Sequence, residues 1–344
     1  MGRCLWNGVL MTADVALHQQ ISALSDLVTP MAIRVAVTLC IADHISADGE
    51  TLAELAERTG TQPRPLGKLL NHLADRDMVT IGEGRYRLTE LGAVLRRRDD
   101  SPWPFQHLDL DGVIGQTDLA VIHLLHTLRT GEPVYHRMFG TDLWSYVDGR
   151  GDTDDELRSQ SAVKPAFDVD LLVGHRCWRT ADTCVDVGGN TGAVVEALLA
   201  GHPNLRATLL DLPAFARVAE RRFAESGLGD RATALGQSFF DPLPRGADVY
   251  LLSAVLADWD DDNAVRLLRN CADAAGRNGR ILVSEVYLPE HFQWPNTAMT
   301  LWLEAVTANP DRSVDDLSAL AAEAGLSVER VDRAATRVVL ELRG

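Results

Sequence analysis

The stretch VDVGGNTG, residues 185–192, decides the fold of this chain of 344 residues. A short apolar run ends in Gly188, Gly189 and Gly192, and a helical pattern starts at once at Ala193. Glycine lets the backbone turn sharply and lets a ligand approach the N-terminus of the following helix closely. The stretch therefore predicts a strand, a ligand-binding turn and a helix. Tight packing of the strand against the helix is the alternative interpretation.

Two common nucleotide-binding motifs are absent from this turn. A dinucleotide fingerprint needs G-x-G-x-x-G, but Asn190 stands where the second glycine would fall, and no G-x-x-x-x-G-K-[ST] occurs in the chain. Asp211 ends the next β-rich run, where an acid can accept hydrogen bonds from both ribose hydroxyls of an adenosine. It could equally cap the helix that begins near Pro213, and the two roles are compatible.

The pattern outward from this turn predicts a doubly wound α/β domain. Short β-rich runs alternate with helical ones, which is typical of a parallel sheet with helices on both faces. Two runs near the C-terminus predict further strands that pair antiparallel at one edge. The predicted strands cover residues 184–187, 207–210, 232–235, 249–255, 281–286, 326–331 and 337–342.

The N-terminal part has a winged-helix pattern. Apolar periodicity predicts helices over 15–28 and 31–45, a capped helix over 51–60, a helix over 64–78, and a hairpin over 79–88. A winged helix can bind DNA, but residues 1–100 hold 11 Lys and Arg against 13 Asp and Glu. Because a DNA reader needs a basic surface, a dimerisation module is favoured over DNA binding.

Composition excludes several other classes. The net charge of −16 repels nucleic acid and anionic membranes. The five cysteines form no C-x-x-C and lie near no histidine pair, so neither a disulfide framework nor a zinc site is predicted. No apolar run approaches the roughly 20 residues of a membrane span, so no such span is predicted. The first ten residues lack a secretory pattern, with Met11 as a second candidate start, and a cytoplasmic protein is expected.

Six motifs together resemble one enzyme family: VDVGGNTG, LLDLP, SFFDPLP, ADVYLLSAVLADWDDD, GRILVSEVYLPE and DRSVDDLSALAAEAGL. They are similar to the plant-type, S-adenosylmethionine-dependent O-methyltransferases of small molecules. Among these, the resemblance is strongest to actinobacterial enzymes of aromatic polyketide pathways, including those for anthracyclines and for the orsellinic acid of calicheamicin. The resemblance covers the whole chain, since TPMAIRVAVTLCIADHI and RTGEPVYHRMFGTDLW also match the amino-terminal part of the family.

The resemblance implies a fold and a homodimer. It implies a mostly helical, winged-helix dimerisation and substrate-lid domain over residues 1–160. A Rossmann-like class I methyltransferase domain, which binds S-adenosylmethionine and releases S-adenosylhomocysteine, would follow over 161–344. The residues that it assigns to the cofactor are Asp186, Gly188, Gly189, Gly192, Asp211, Leu212, Ser238, Phe239, Ser253 and Trp259. Those that it assigns to the acceptor pocket are His107, Phe139, Trp144, Met299 and Trp302. No metal is implied.

One departure from the family affects the chemistry. Many members have L-H-D-W after the fourth strand, with the histidine as general base, whereas Ala257 stands at that position here. Three explanations remain open. The acceptor hydroxyl is acidified by its ring and needs only positioning; another group, among Asp258, His107, His136 and His291, is the base; or the cofactor serves a hydroxylation or cyclisation instead.

The carboxyl-terminal region also departs from the family pattern. Met299-Thr300-Leu301 replaces M-D-L, and ANPDRS at 308–313 replaces G-G-x-E-R-[ST]. The loss of both glycines predicts either a reshaped acceptor pocket or simple repacking. The expected acceptor is a phenolic, orsellinate-like acid, and the sequence leaves open whether it is free or tethered to a carrier protein.

Overall fold

A computed structural model describes residues 5–6, 9–10, 13–97, 108–150, 154, 157, 168–286, 296–307 and 312–344. The chain forms two compact units, Met1–Gln116 and Thr117–Gly344. The functional boundary that the sequence analysis places at residue 160 stays a prediction.

The first unit contains the predicted winged helix. Its three-stranded antiparallel sheet has the order β3-β5-β4. Thr51 Oγ1 accepts the N–H of Glu54, and the Glu54 carboxylate accepts the N–H of Thr51, so the predicted capping box forms. In chain order the elements are β1 Leu5–Trp6, β2 Val9–Leu10, α1 Ala13–Leu24, α2 Val28–Thr38, α3 Ile41–His44, β3 Glu50–Thr51, α4 Leu52–Thr59, α5 Pro63–Ala74, β4 Val79–Gly82, β5 Arg85–Leu88 and α6 Glu90–Ala93.

The helix predicted over 31–45 is wrong as a single element. It breaks at Cys40, whose φ of 51° lies in the left-handed region, and α3 begins after it. The buried side chains of α2 and α3 include Ala36 and Ile41, which pack with Leu55 and Leu70 into the core of this unit. The break turns the chain so that both short helices face that core.

The apolar N-terminal stretch is longer than the sequence analysis allowed. Val15–Thr38 has a mean hydropathy of 1.3 over its 18-residue window and is only 17% buried, so by length and composition it could cross a membrane. However, residues 25–27 separate α1 from α2, and Asp26 caps α2 by accepting the N–H groups of Val28 and Thr29. Each helix alone is shorter than the roughly 20 residues of a span.

The second unit is built on a seven-stranded sheet with the order β11-β12-β10-β9-β6-β7-β8. Strands β6 to β10 pair in parallel, and β12 pairs antiparallel with both β10 and β11. The predicted α/β class and the antiparallel C-terminal edge are confirmed. The strands are β6 Thr183–Val187, β7 Arg206–Asp211, β8 Ala232–Gly236, β9 Val249–Ser253, β10 Arg280–Val286, β11 Ser327–Arg333 and β12 Arg337–Arg343.

The sheet is buried on both faces, as expected for parallel strands between helices. Successive residues of β6 point to opposite faces, so Val185 packs in one core and Cys184 in the other. The helices are α7 Val113–Asp118, α8 Leu124–Thr130, α9 Tyr135–Phe139, α10 Leu143–Gly149, α11 Val169–Val173, α12 Ala193–Gly201, α13 Pro213–Glu225, α14 Asp261–Ala275, α15 Asn296–Val306 and α16 Val314–Glu323. Shorter 3-10 turns cover Leu119–His123, Arg176–Arg179 and Leu256–Asp258.

Candidate active site

The glycine turn connects β6 to α12, and each glycine meets a different neighbour. Gly188 has a φ of +74°, and a Cβ atom there would lie 2.8 Å from Val255. At Gly189 a Cβ atom would lie 2.7 Å from a carboxylate oxygen of Asp186, which is buried beneath the turn. Gly192 has a φ of +87° and packs on the ring of Phe223. Gly189 and Gly192 therefore pack closely against their neighbours, and of the three glycines only Gly188 lines the adjoining cavity.

Asp211 ties the glycine turn to the end of β7. Its Oδ2 accepts the N–H of Asn190 at 2.7 Å, and its Oδ1 accepts the N–H of Leu212 at 2.7 Å. The residue is only 8% exposed and borders the cavity. The carboxylate is thus fixed in orientation by two backbone donors, while the helix that follows begins with Pro213. A carboxylate fixed in this way is pre-organised to accept hydrogen bonds from a ligand.

A cavity of about 280 Å³ lies at the carboxyl ends of the strands, where ligands bind in open α/β sheets. It is bordered by the segments that follow four strands, β6, β7, β8 and β9, and by the start of α10. The lining residues are Asp142, Trp144, Ser145, Gly188, Asn190, Asp211, Leu212, Phe215, Ser238, Phe239, Phe240, Val255, Asp258 and Trp259. Six of the ten residues that the resemblance assigned to the cofactor line this cavity: Gly188, Asp211, Leu212, Ser238, Phe239 and Trp259. The other four, Asp186, Gly189, Gly192 and Ser253, do not line it.

Aromatic rings form one wall of the cavity. Trp259 meets Phe240 edge-to-face at a centroid distance of 4.8 Å and Phe239 at 5.7 Å. Such pairs fix ring orientation through the quadrupoles of their π-systems. Trp259 follows the turn Leu256–Asp258, which holds Ala257 at the family's base position. The wall is suited to a flat, apolar group such as a purine.

Ser253, one of the residues that the resemblance assigns to the cofactor, ends β9 and is only 3% exposed. The guanidinium of Arg337, which is 1% exposed, donates to Ser253 Oγ at 3.3 Å and to Ser284 Oγ at 2.9 Å. Burial lowers the pKa of Arg337 from its ordinary value. Ser253 therefore lies behind the cavity wall and bonds to a buried cation, rather than lining the cavity.

A second aromatic cluster, made of Tyr135, Phe139, Tyr146 and Trp302, lies in the same unit. The ring of Phe139 is 4.6 Å from that of Tyr135 and 5.2 Å from that of Tyr146, and Trp302 of α15 packs in the same apolar cluster. The structure thus brings together two of the residues assigned to the acceptor pocket. Met299 lies on α15 with Trp302.

Trp144, assigned to the acceptor pocket, lines the same cavity as Asp211. Its ring meets that of Phe215 at 6.2 Å, and α10 is fixed to α13 because Asp148 accepts the N–H of Ala214 at 2.8 Å. Asp148 itself lies within α10, which continues to Gly149.

The candidate bases have different outcomes. His136 is exposed, whereas its neighbour Tyr135 is 1% exposed, so His136 does not form a pocket wall. His107 and His291 lie outside the described residues. Asp258 borders the cavity beside Ala257. Within the described part of the chain, no group of three or more His, Cys, Asp or Glu could hold a metal ion.

Sequence reasoning missed several residues of the site. Phe215 and Asn190 line the cavity, and Arg312 fixes the turn that carries Trp259. Asn190 carries a local signal, because its φ of 55° in a glycine-rich turn favours asparagine. Arg312 matches the arginine of the motif G-G-x-E-R-[ST], but nothing local indicates its contacts, since its partners lie more than fifty residues away in the chain.

Comparison with known proteins decides the family. The family model of the O-methyltransferase domain matches residues 122–327, and that of the O-methyltransferase dimerisation domain matches residues 21–98. This chain belongs to the O-methyltransferase family. The resemblance inferred from the six motifs is therefore confirmed, as is the dimerisation module.

Three proteins are similar to this O-methyltransferase over most of its length. It is 40% identical to 2,7-dihydroxy-5-methyl-1-naphthoate 7-O-methyltransferase of Streptomyces carzinostaticus, over 91% of this chain and 94% of the relative. It is 36% identical to aclacinomycin 10-hydroxylase RdmB of Streptomyces purpurascens, over 93% of this chain and 87% of the relative. The solved structure of NcsB1 from neocarzinostatin biosynthesis, bound to S-adenosylhomocysteine and 1,4-dihydroxy-2-naphthoic acid, superposes with a TM-score of 0.82 at 38% identity, covering 94% of this chain and 98% of that one.

Proposed function

We propose that this O-methyltransferase transfers a methyl group from S-adenosylmethionine to a phenolic hydroxyl of a small aromatic acid in antibiotic biosynthesis. The observation that carries the proposal is the cavity that brings Gly188, Asp211, Phe239 and Trp259 together. Two structures of NcsB1, one with S-adenosylmethionine and one with its demethylated product, support the choice of cofactor.

The residues present fit that cofactor. The carboxylate of Asp211 would accept the ribose hydroxyls, and the rings of Phe239 and Trp259 would hold the purine. Gly188 would allow close approach, since a side chain there would collide with Val255. Trp144, in the opposite wall beside Phe215, would enclose the adenosine. When bound, the cofactor supplies a sulfonium methyl group, which is a strong electrophile.

The chain contributes positioning rather than a base at position 257. A simple phenol has a pKa near 10, so only about one molecule in a thousand is ionised at pH 7. Alanine cannot remove the proton, so electron-withdrawing ring substituents of the acceptor would have to lower that pKa. Alignment of nucleophile and electrophile can itself lower a barrier by roughly 7–11 kcal/mol. Asp258 is the nearest candidate to receive the proton, because it borders the cavity.

The acceptor would bind at the cluster of Tyr135, Phe139, Tyr146 and Trp302. A cluster of tilted and edge-to-face aromatic side chains suits a flat ring system of one or two fused cycles. The named relatives act on a dihydroxynaphthoate and on 3-amino-4-hydroxybenzoate, which favours aromatic hydroxy acids from orsellinate to naphthoate in size. NcsB1 binds its naphthoic acids as free acids, so we propose a free acceptor rather than one on a carrier protein.

A hydroxylase is the second candidate. Two observations favour it: Ala257 replaces the base, and RdmB, a named hydroxylase, is 36% identical. Product mass separates the two. Incubation of the purified protein with S-adenosylmethionine and a panel of hydroxybenzoates and hydroxynaphthoates should give products heavier by one methylene unit, together with S-adenosylhomocysteine. Products heavier by one oxygen atom, with the cofactor unconsumed, would establish the hydroxylase instead.

A homodimer follows from the dimerisation domain and from its exposed apolar side chains. Leu17, Ile21 and Leu24 of α1 are 59%, 65% and 77% exposed, and they share one face of the helix. An apolar face of this kind marks a contact surface between proteins. Light scattering should give twice the mass of the chain, and L24D should shift the protein towards the monomer. All four cysteines in the described residues are free thiols, which supports a cytoplasmic location.

A further inference from the structure

Arg312 is a buried cation that bonds to the cavity wall without lining the cavity. It is 9% exposed, and it lies just before α16. Its Nη1 donates to the carbonyl of Leu256 at 2.6 Å, and its Nη2 donates to the carbonyl of Trp259 at 2.8 Å. The two carbonyls flank Ala257 and Asp258, because Leu256 begins the turn Leu256–Asp258 and Trp259 follows it.

The guanidinium is held in place by an acid at the start of α14. Asp261 Oδ1 accepts from Nε at 3.0 Å and from Nη2 at 2.7 Å. On the other side of the turn, the N–H of Leu256 donates to Glu285 Oε1 at 3.1 Å. Two side chains therefore hold the turn: Glu285 from β10 and Arg312 from the segment before α16.

This arrangement joins two parts of the site. Arg312 follows α15, which carries Trp302 of the acceptor cluster, and it bonds to the turn whose Asp258 and Trp259 line the cofactor cavity. The guanidinium group of arginine is planar and carries five N–H donors, so it can bond to two carbonyls and a carboxylate at once. The ammonium group of lysine cannot reproduce that geometry. The contacts therefore depend on arginine itself and not only on a positive charge.

We propose that Arg312 is a positioning residue, which sets the place of the 256–259 turn and thereby the distance between cofactor and acceptor. The inference rests on the proposed function for its catalytic consequence. A displacement of about 1 Å at a reacting centre can cost roughly a hundredfold in rate. Because position 257 offers no base, the turn contributes the alignment of the site and the placement of Asp258, and Arg312 controls both.

The test compares R312M and R312K with a matched control, R269M. Arg269 also joins α14 to α16, because its Nη2 donates to the carbonyl of Glu323 at 2.9 Å, but it lies outside the cavity wall. We expect R312M to raise the dissociation constant of S-adenosylhomocysteine and to lower kcat, each by about tenfold or more. R312K should restore thermal stability more than it restores kcat. R269M should change neither constant by more than twofold.

Amide hydrogen exchange makes the result independent of turnover. Amide exchange in residues 254–260 should be faster in R312M than in the wild type, and unchanged in R269M. If R312M does not fold, R312K takes its place in this comparison. If exchange and binding stay at wild-type levels while only the melting temperature falls, Arg312 is a structural residue and the inference is overturned. If exchange quickens as expected but wild-type protein neither binds S-adenosylhomocysteine nor methylates, the positioning of the turn stands and the proposed function fails.

Discussion

Replacement of Asp211 by asparagine removes the charge on which the cofactor site depends and leaves the size of the side chain unchanged. The carboxylate accepts two backbone N–H groups at 2.7 Å, and in the proposed complex it also accepts ribose hydroxyls. A hydrogen bond to a charged group contributes about 1.5–3 kcal/mol. Since about 1.4 kcal/mol corresponds to a tenfold change in affinity, D211N should weaken binding of S-adenosylhomocysteine by roughly ten- to a hundredfold.

The control variant is D248N, which loses the same kind of contact elsewhere. Asp248 Oδ2 accepts the N–H groups of Asp182 and Thr183, each at 2.9 Å, beside the opposite ends of the strands. Both variants should lower the melting temperature because each loses a charged acceptor of backbone donors. Only D211N should lower the affinity measured by titration calorimetry.

A modified ligand separates the ribose contact from an indirect effect on the glycine turn. Removal of the 2′-hydroxyl from S-adenosylhomocysteine should weaken binding to the wild type and have little further effect on D211N. The two changes are then coupled, as expected for groups in direct contact. If D211N binds the unmodified ligand within twofold of the wild type, or if the two losses simply add, Asp211 does not hold the ribose.

Three further predictions concern the base position, the thiols and the acid stability. A257H should leave kcat unchanged if positioning suffices, whereas a rise of about a hundredfold, which a general base can provide, would show that proton removal limits the rate. Burial raises the pKa of both Cys177 and Cys271 to about 12, so iodoacetamide at pH 8 should label them only after denaturation, and labelling of the native protein would contradict their burial. Burial also lowers the pKa of His175 in the folded protein. As the pH falls below about 6.5, this histidine is therefore protonated in the unfolded chain before it is protonated in the folded one. The free energy of unfolding should then fall by at most about 1.4 kcal/mol for each further pH unit. Denaturant titrations between pH 5.5 and 7.5 should show this slope in the wild type and not in H175N.

The strands of the second unit were predicted well, because the sequence signals that mark them are local. The strand ends near Val187 and Asp211 follow from apolar runs that stop at glycine or at an acid, and the structure places both within one residue of the prediction. The capping box at Thr51 is likewise a four-residue pattern. Such features depend on neighbours in the chain, and no knowledge of tertiary packing is needed to predict them.

Contacts between distant segments were less predictable. Trp144 was assigned to the acceptor pocket, and its packing against Phe215, together with the hydrogen bond from Ala214 to Asp148, places it in the lining of the cavity that contains Asp211. The contacts of Arg312 could not be predicted, since the two carbonyls that it binds acquire their positions only when the sheet forms. The helix break at Cys40 could not be predicted either, because the apolar pattern of the sequence continues through this position without interruption.

The structure of the protein crystallised with S-adenosylhomocysteine tests the account most directly. The adenosyl group should lie between Trp144 and the rings of Phe239 and Trp259, with its ribose hydroxyls within hydrogen-bonding distance of Asp211. A well-folded protein that takes up no ligand at millimolar concentration, or that binds it away from the β6–α12 turn, would contradict the assignment.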